Sequence, residues 1–184
     1  KKIPVFIDKP LTFKKNELDY FLPYIKSGLL MSTSCFRYSN EVNIIKKKIY
    51  ANGIKNLKFI SASIVNDLEK YGIHMLEALD ELNLLNIKKI YKLPLKFESY
   101  ILINDKNIPI QLNCFGKSSK VLNIQLFFKK GENINCDFND NFTSFRNTLN
   151  KFYKMISEKR MQIDAKRTKN IIEIIIKARK LNEK

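Results

Sequence analysis

The order of elements in the first fifty residues constrains this chain more than any other feature. "PVFIDKPL", Pro4 to Leu11, carries the apolar run Val5-Phe6-Ile7, too short and too β-branched for a helix. It reads as a buried strand with Lys9 at its mouth and Pro10 stiffening the backbone behind it. "LTFKKNELDYFLPYIKSG" then predicts a helix capped by Thr12, with Leu18, Phe21 and Leu22 on one face, limited by Pro23 and stopped by Gly28. "LLMSTSCF" reads as a second strand leaving at "RYSNE", and "EVNIIKKKIYANG" as a second helix ended by Gly53. Strands joined by crossover helices build a parallel sheet, and two such strands cannot stand alone. Residues 1–53 are therefore expected to be the tail of a Rossmann-like, doubly wound sheet whose earlier strands lie outside these 184 residues.

The texture changes at Leu57. "LKFISASIV" reads as a strand, and "YGIHMLEALDELNLL" as a helix opening near Gly72 or His74 with Leu76, Leu79 and Leu82 on one stripe. Four extended runs follow: "IKKIYKLPLK", "ESYILIN", "IPIQLNCF" and "VLNIQLFFKK". "NDKN" and "GKSSK" between them read as ordinary hairpin connections. Polar residues at every second position in "QLNC" and "NIQLFF" mark a sheet covered on one face. "FTSFRNTLNKFYKMI" places Phe142, Phe145, Leu149, Phe152 and Ile156 on one helical stripe, and "TKNIIEIIIKARKL" is apolar over so wide an arc that it must pack deeply. Residues 54–184 are thus expected to form an α+β domain with a largely antiparallel open sheet, its last helix (about 168–181) packing back.

The net charge of +16 invites a nucleic-acid reading. Of 34 basic residues, however, only 5 are Arg, the side chain whose planar fork suits phosphate and guanine edges. The lysines are scattered, without aromatic residues interleaved for base stacking, and Lys, Asn and Ile together are what an AT-rich coding sequence writes on any protein. No nucleic-acid partner is expected. No run of 18 apolar residues is present and the opening "KKIPVF" is too short in its apolar part for a signal peptide, so a cytoplasmic, membrane-free chain is expected. Cys35, Cys114 and Cys136 lack metal-type spacing, and one His with scattered carboxylates offers no metal site.

Four stretches together resemble one known family, the Gfo/Idh/MocA oxidoreductases. "VFIDKPL" resembles the Glu-Lys-Pro motif ending a late Rossmann strand, with Asp8 in place of the Glu. "MSTSCFRYSNEV" resembles the next strand with its Arg-aromatic exit, "YGIHMLEAL" the Gly-Ile-His helix start, and "MQIDAKRTKNIIEIIIKARK" the final helix. The order and spacing agree, and the resemblance covers essentially the whole chain. It implies an NAD(P)-dependent oxidoreductase moving a hydride between a sugar-like or polyol alcohol and the nicotinamide. It implies catalytic roles for Lys9 and His74, contacts to substrate or cofactor from Asp8, Pro10, Arg37, Tyr38 and Tyr71, and association through the sheet as a dimer or tetramer. The family often carries Asp four residues before this His; here that position is Lys70, while Tyr71 and Glu77 agree with branches having an aromatic-Gly-Ile-His start and a later Glu. The 184 residues contain no G-x-G-x-x-G, the turn that lets backbone approach a pyrophosphate, so NAD or NADP is expected to be bound mainly by an upstream region and the isolated chain to be inactive. The alternative is a catalytically silent dimerising module derived from that family.

Overall fold

The computed structural model describes residues 2–182. Strand β1 (Val5–Asp8) pairs in parallel with β2 (Leu30–Thr33), Val5 opposite Leu30 and Asp8 opposite Thr33. Helix α1 (Lys15–Lys26) makes the crossover. Thr12 does not cap it: the first-turn boundary is Lys14, and the Thr12 hydroxyl accepts from Lys14 N at 3.0 Å. Nor does Pro23 limit it, for the helix continues through Pro23 to Lys26. Gly28 turns the chain at φ +70, and a Cβ there would stand 2.9 Å from the Arg160 backbone, so both the turn and the close approach need glycine.

The second predicted strand is shorter than "LLMSTSCF" suggests. After Thr33 the chain tightens into a 3-10 turn, Cys35–Tyr38, opened by Ser34, whose hydroxyl accepts from Phe36 N. Ser39 then caps helix α2 (Asn40–Asn52) by accepting from Val42 N.

Six strands form the larger sheet: β3 (Leu57–Ile64), β4 (Ile87–Lys92), β5 (Glu98–Asn104), β6 (Pro109–Cys114), β7 (Leu122–Phe128) and β8 (Ile134–Asp137), in the order β4-β5-β6-β3-β7-β8. Every pairing is antiparallel except β3 with β6. β3 lies between β6 and β7, so "GKSSK" is a connection across the top of a neighbouring strand, not a hairpin turn. Helix α3 (Ile73–Glu81), entered through a π turn over Leu68–Gly72, and helix α5 (Ala165–Lys180) join the inner face of this sheet in one apolar core. Ile60, Ala62, Leu102, Leu112 and Leu126 meet Leu76, Leu79, Ile171 and Ile175 there. Each leucine or isoleucine among them contributes on the order of 1.5–3 kcal/mol relative to exposure.

Helix α4 (Asn141–Glu158) reverses the expected polarity. Its inward residues are Ser144, Thr148 and Met155, while Phe142, Phe145, Leu149, Tyr153 and Ile156 are exposed. Met155 and Phe152 pack on Met31 and Phe6 of the short parallel sheet. Among the described residues no helix is long and apolar enough to cross a membrane.

Candidate active site at the seam of the two sheets

The parallel pairing of β1 with β2 brings two strand ends to the same edge, where ligands of open α/β sheets bind. Asp8 and Lys9 leave β1 there, and Ser34 to Phe36 leave β2. Asp67 accepts from Lys70 N at the start of the π turn, which delivers Tyr71 and His74 to the same edge. The result is a cavity of about 300 Å³ lined by Asp8, Lys9, Cys35, Phe36, Tyr71 and His74, and closed by Leu122, Asn141 and Phe145. That volume suits a ligand of monosaccharide or single-ring size. A larger, apolar hollow of about 680 Å³ runs along β1 and α1 past Ile3, Val5, Tyr20 and Tyr24.

The Lys9 ammonium donates to the Lys70 carbonyl at 2.7 Å and lies 5.1 Å from the centre of the Tyr71 ring. Burial lowers its pKa, against the opposing charges of Asp8, Cys35 and Asp67. His74 is clamped between Phe36 (4.8 Å between centroids) and Tyr71 (5.5 Å), and its Nδ1 lies 2.6 Å from the Ser34 hydroxyl. Burial, then the Lys9 charge, lowers its pKa from the ordinary 6.5 to about 3, so the imidazole is neutral at physiological pH. Burial lifts the Cys35 thiol to about 11, which keeps it protonated and a poor nucleophile.

Arg37, named from the sequence as a possible ligand contact, is placed elsewhere. Its guanidinium is 1% exposed and paired with Glu77, with Asp80 at 2.7 Å and with Glu81 at 3.4 Å. Arg167 reaches the same Asp80 at 2.6 Å, so the cluster joins the 3-10 turn after β2 to α3 and α5. Burial opposes the charge on Arg37, but Glu77 and Asp80 outweigh it and raise its pKa. Glu77 belongs to this cluster and not to the cavity. Tyr38 is half-buried, with its hydroxyl unpartnered beside the Met31 and Met155 cluster. Lys70 contributes only its carbonyl to Lys9; its side chain is exposed. Pro10 follows Lys9 through a cis peptide and does not line the cavity. The sequence reading missed Ser34, Asn141 and Phe145. For Ser34 the one legible signal was its place between a strand end and a turn, where Ser commonly accepts from a nearby backbone N–H.

A short parallel sheet joined to a mixed six-stranded sheet is a fold shared with solved inositol and sugar dehydrogenases. Among solved structures the chain is similar to myo-inositol 2-dehydrogenase from Lactobacillus plantarum, with TM-score 0.79 and 14% identity over 98% of this chain and 71% of that one. It is similar to the Lactobacillus casei myo-inositol dehydrogenase solved with NAD(H) and myo-inositol (0.75, 14%, 98% and 68%). It is also similar to a 3-ketoreductase from Actinomadura kijaniata solved with TDP-benzene and NADP (0.76, 13%, 96% and 69%). No family model and no curated protein sequence matches the chain. At these identities the likeness establishes the fold.

Proposed function

We propose that the chain forms the substrate-binding part of a Gfo/Idh/MocA-type NAD(P)-dependent oxidoreductase acting on a sugar-like or polyol alcohol. The observation that carries this reading is the convergence of Lys9, Tyr71 and His74 on one sugar-sized cavity at the carboxyl edge of a parallel sheet. The solved enzymes of this fold include ones that hold inositol or a nucleotide-linked ligand with a nicotinamide. The residues present do not fit the phosphate end of such a dinucleotide. That end needs clustered backbone N–H groups at a helix start, and the 184 residues have 5 Gly and no Gly-rich turn. The dinucleotide would be held by structure outside these residues, against the uncovered edge of β1.

Within the chain the work is proton handling. An alcohol that gives up a hydride must also give up its hydroxyl proton, and the developing oxygen charge needs a donor or cation beside it. Lys9, half-buried with a lowered pKa, and neutral His74 supply those two functions. In the native full-length polypeptide, inositols or sugars should drive reduction of NAD or NADP. Lys9→Ala and His74→Ala should each lower kcat by about 10²-fold or more, with cofactor affinity little changed. Steady-state kinetics and a cofactor titration check this. A native enzyme that reduces neither cofactor with any polyol or sugar of a broad panel, or a Lys9→Ala variant with unaltered kcat, overturns the reading.

A further inference from the structure

We propose that Ser34 is a positioning residue that fixes His74 as its Nε2–H tautomer. The imidazole then meets the substrate as a hydrogen-bond donor and not as the base, and the hydroxyl proton goes to Lys9. The catalytic half of this inference rests on the function proposed above; the tautomer itself does not.

The argument is a count of protons around one oxygen. Ser34 is 0% exposed. Its Oγ accepts from Phe36 N at 3.1 Å and lies 2.6 Å from His74 Nδ1. Its one further polar neighbour is the Cys35 thiol, a weak hydrogen-bond partner. A serine hydroxyl has one proton and two lone pairs. If Nδ1 carried the ring proton, Ser34 would accept twice, and its own proton would be left to the Cys35 sulfur, a far weaker acceptor than an imidazole nitrogen. If Ser34 donates to Nδ1, every group at this junction is satisfied. A neutral imidazole whose Nδ1 accepts carries its proton on Nε2.

Among the described residues no other side chain is hydrogen-bonded to His74 Nδ1. Position 70, one helical turn before His74, holds a lysine whose side chain is exposed, so no carboxylate reaches Nδ1. A carboxylate there would accept from Nδ1–H and leave Nε2 bare, the arrangement of a base. A serine donor inverts that polarity. Nε2 has no partner among the described residues and is not among the buried unpaired atoms, so it is open to solvent at the cavity His74 lines. The Phe36 and Tyr71 rings hold the imidazole in this orientation.

The proton step then balances without a charged histidine. The Lys9 ammonium first gives a proton to solvent, which its burial eases; the substrate O–H bond then breaks as the resulting amine takes the hydroxyl proton and becomes an ammonium again. The negative charge left on oxygen is met by the hydrogen bond from His74 Nε2–H. In the reverse direction the Lys9 ammonium returns the proton.

His74 is the only histidine in the chain, so a long-range ¹H–¹⁵N correlation spectrum of the ¹⁵N-labelled protein shows one imidazole and nothing to confuse it with. The expected spectrum shows a protonated Nε2 and a bare Nδ1, unchanged between about pH 5 and pH 8. A native spectrum with the proton on Nδ1, or averaged between the two nitrogens, overturns the proposal. Ser34→Ala should move the spectrum to the averaged or Nδ1–H form, and Ser34→Thr should restore Nε2–H. A folded Ser34→Ala protein that keeps pure Nε2–H removes the role given to Ser34. If Ser34→Ala does not fold, the native and Ser34→Thr spectra decide. In the active enzyme, His74→Gln, whose amide donates but is no base, should retain at least about tenfold more kcat than His74→Ala. Equal losses in the two overturn the donor role. Because the spectra need neither substrate nor cofactor, failure of the tautomer and failure of the proposed reaction are told apart.

Discussion

At the residue scale, two buried groups were legible in the sequence as residues and illegible as roles. Arg37 reads as a strand-end cation, and strand ends are where ligands bind. What withdrew it from the cavity is a set of carboxylates forty residues away, Glu77, Asp80 and Glu81, which only the fold brings to it. Arg37→Ala would leave those charges in an apolar setting without their partner. It should cost about 3–5 kcal/mol in urea unfolding. His74 makes a prediction in the pH dimension. Its pKa is about 3 in the fold against an ordinary 6.5, so unfolding takes up a proton between those values. The sign follows: stability is whole above about pH 6.5 and falls as pH drops toward 3, by about 1.4 kcal/mol per unit. His74→Gln should lack that slope between about pH 6.5 and pH 5, before the carboxylates titrate. Chemical denaturation of both proteins across that window would show it, and parallel curves would refute it.

At the scale of elements, periodicity succeeded where one face is buried and failed where neighbours decide. The leucines of α3 and the isoleucines of α5 lie in the core as their spacing predicts. β8 was missed because "INCD" is four residues with a single deeply buried side chain, Ile134. "GKSSK" misled because loop composition cannot show that β3, sixty residues earlier, has already taken the place between β6 and β7. α4 shows the limit most sharply, since a hydrophobic stripe gives a face but not the side on which the rest of the protein lies. The two helices therefore predict opposite outcomes for similar substitutions. Leu79→Ala in α3 should cost about 2–5 kcal/mol, whereas Leu149→Ser in α4, where the side chain is 58% exposed, should stay within about 0.5 kcal/mol. Comparable losses in urea melts would mean that the α4 stripe is covered in the folded chain.

At the scale of the whole molecule, charge is distributed in a way composition hides. A chain of net charge +16 has no Lys or Arg in β5, β6 or β7, nor in β3 beyond Lys58. Their outward side chains form a hydrogen-bonded band: Ser99 donates to Asn113 at 2.7 Å, and Asn123 to Asn135 at 2.8 Å. Two such basic molecules can approach face to face only where charge is absent, and depletion of charge marks interface centres. The expected assembly is a dimer through this sheet face, burying on the order of 1,600 Å². Sedimentation at high micromolar concentration should show it, and a monomer there would refute it. The outward stripe of α4 has a practical consequence as well. Dyes that fluoresce on apolar surface are used to detect loosened, partly unfolded proteins. Here Phe142, Phe145, Leu149 and Tyr153 offer such a surface on the folded chain, so the native protein should light the dye on its own. Its fluorescence in a melting experiment would start high, and a bright signal would not report damage.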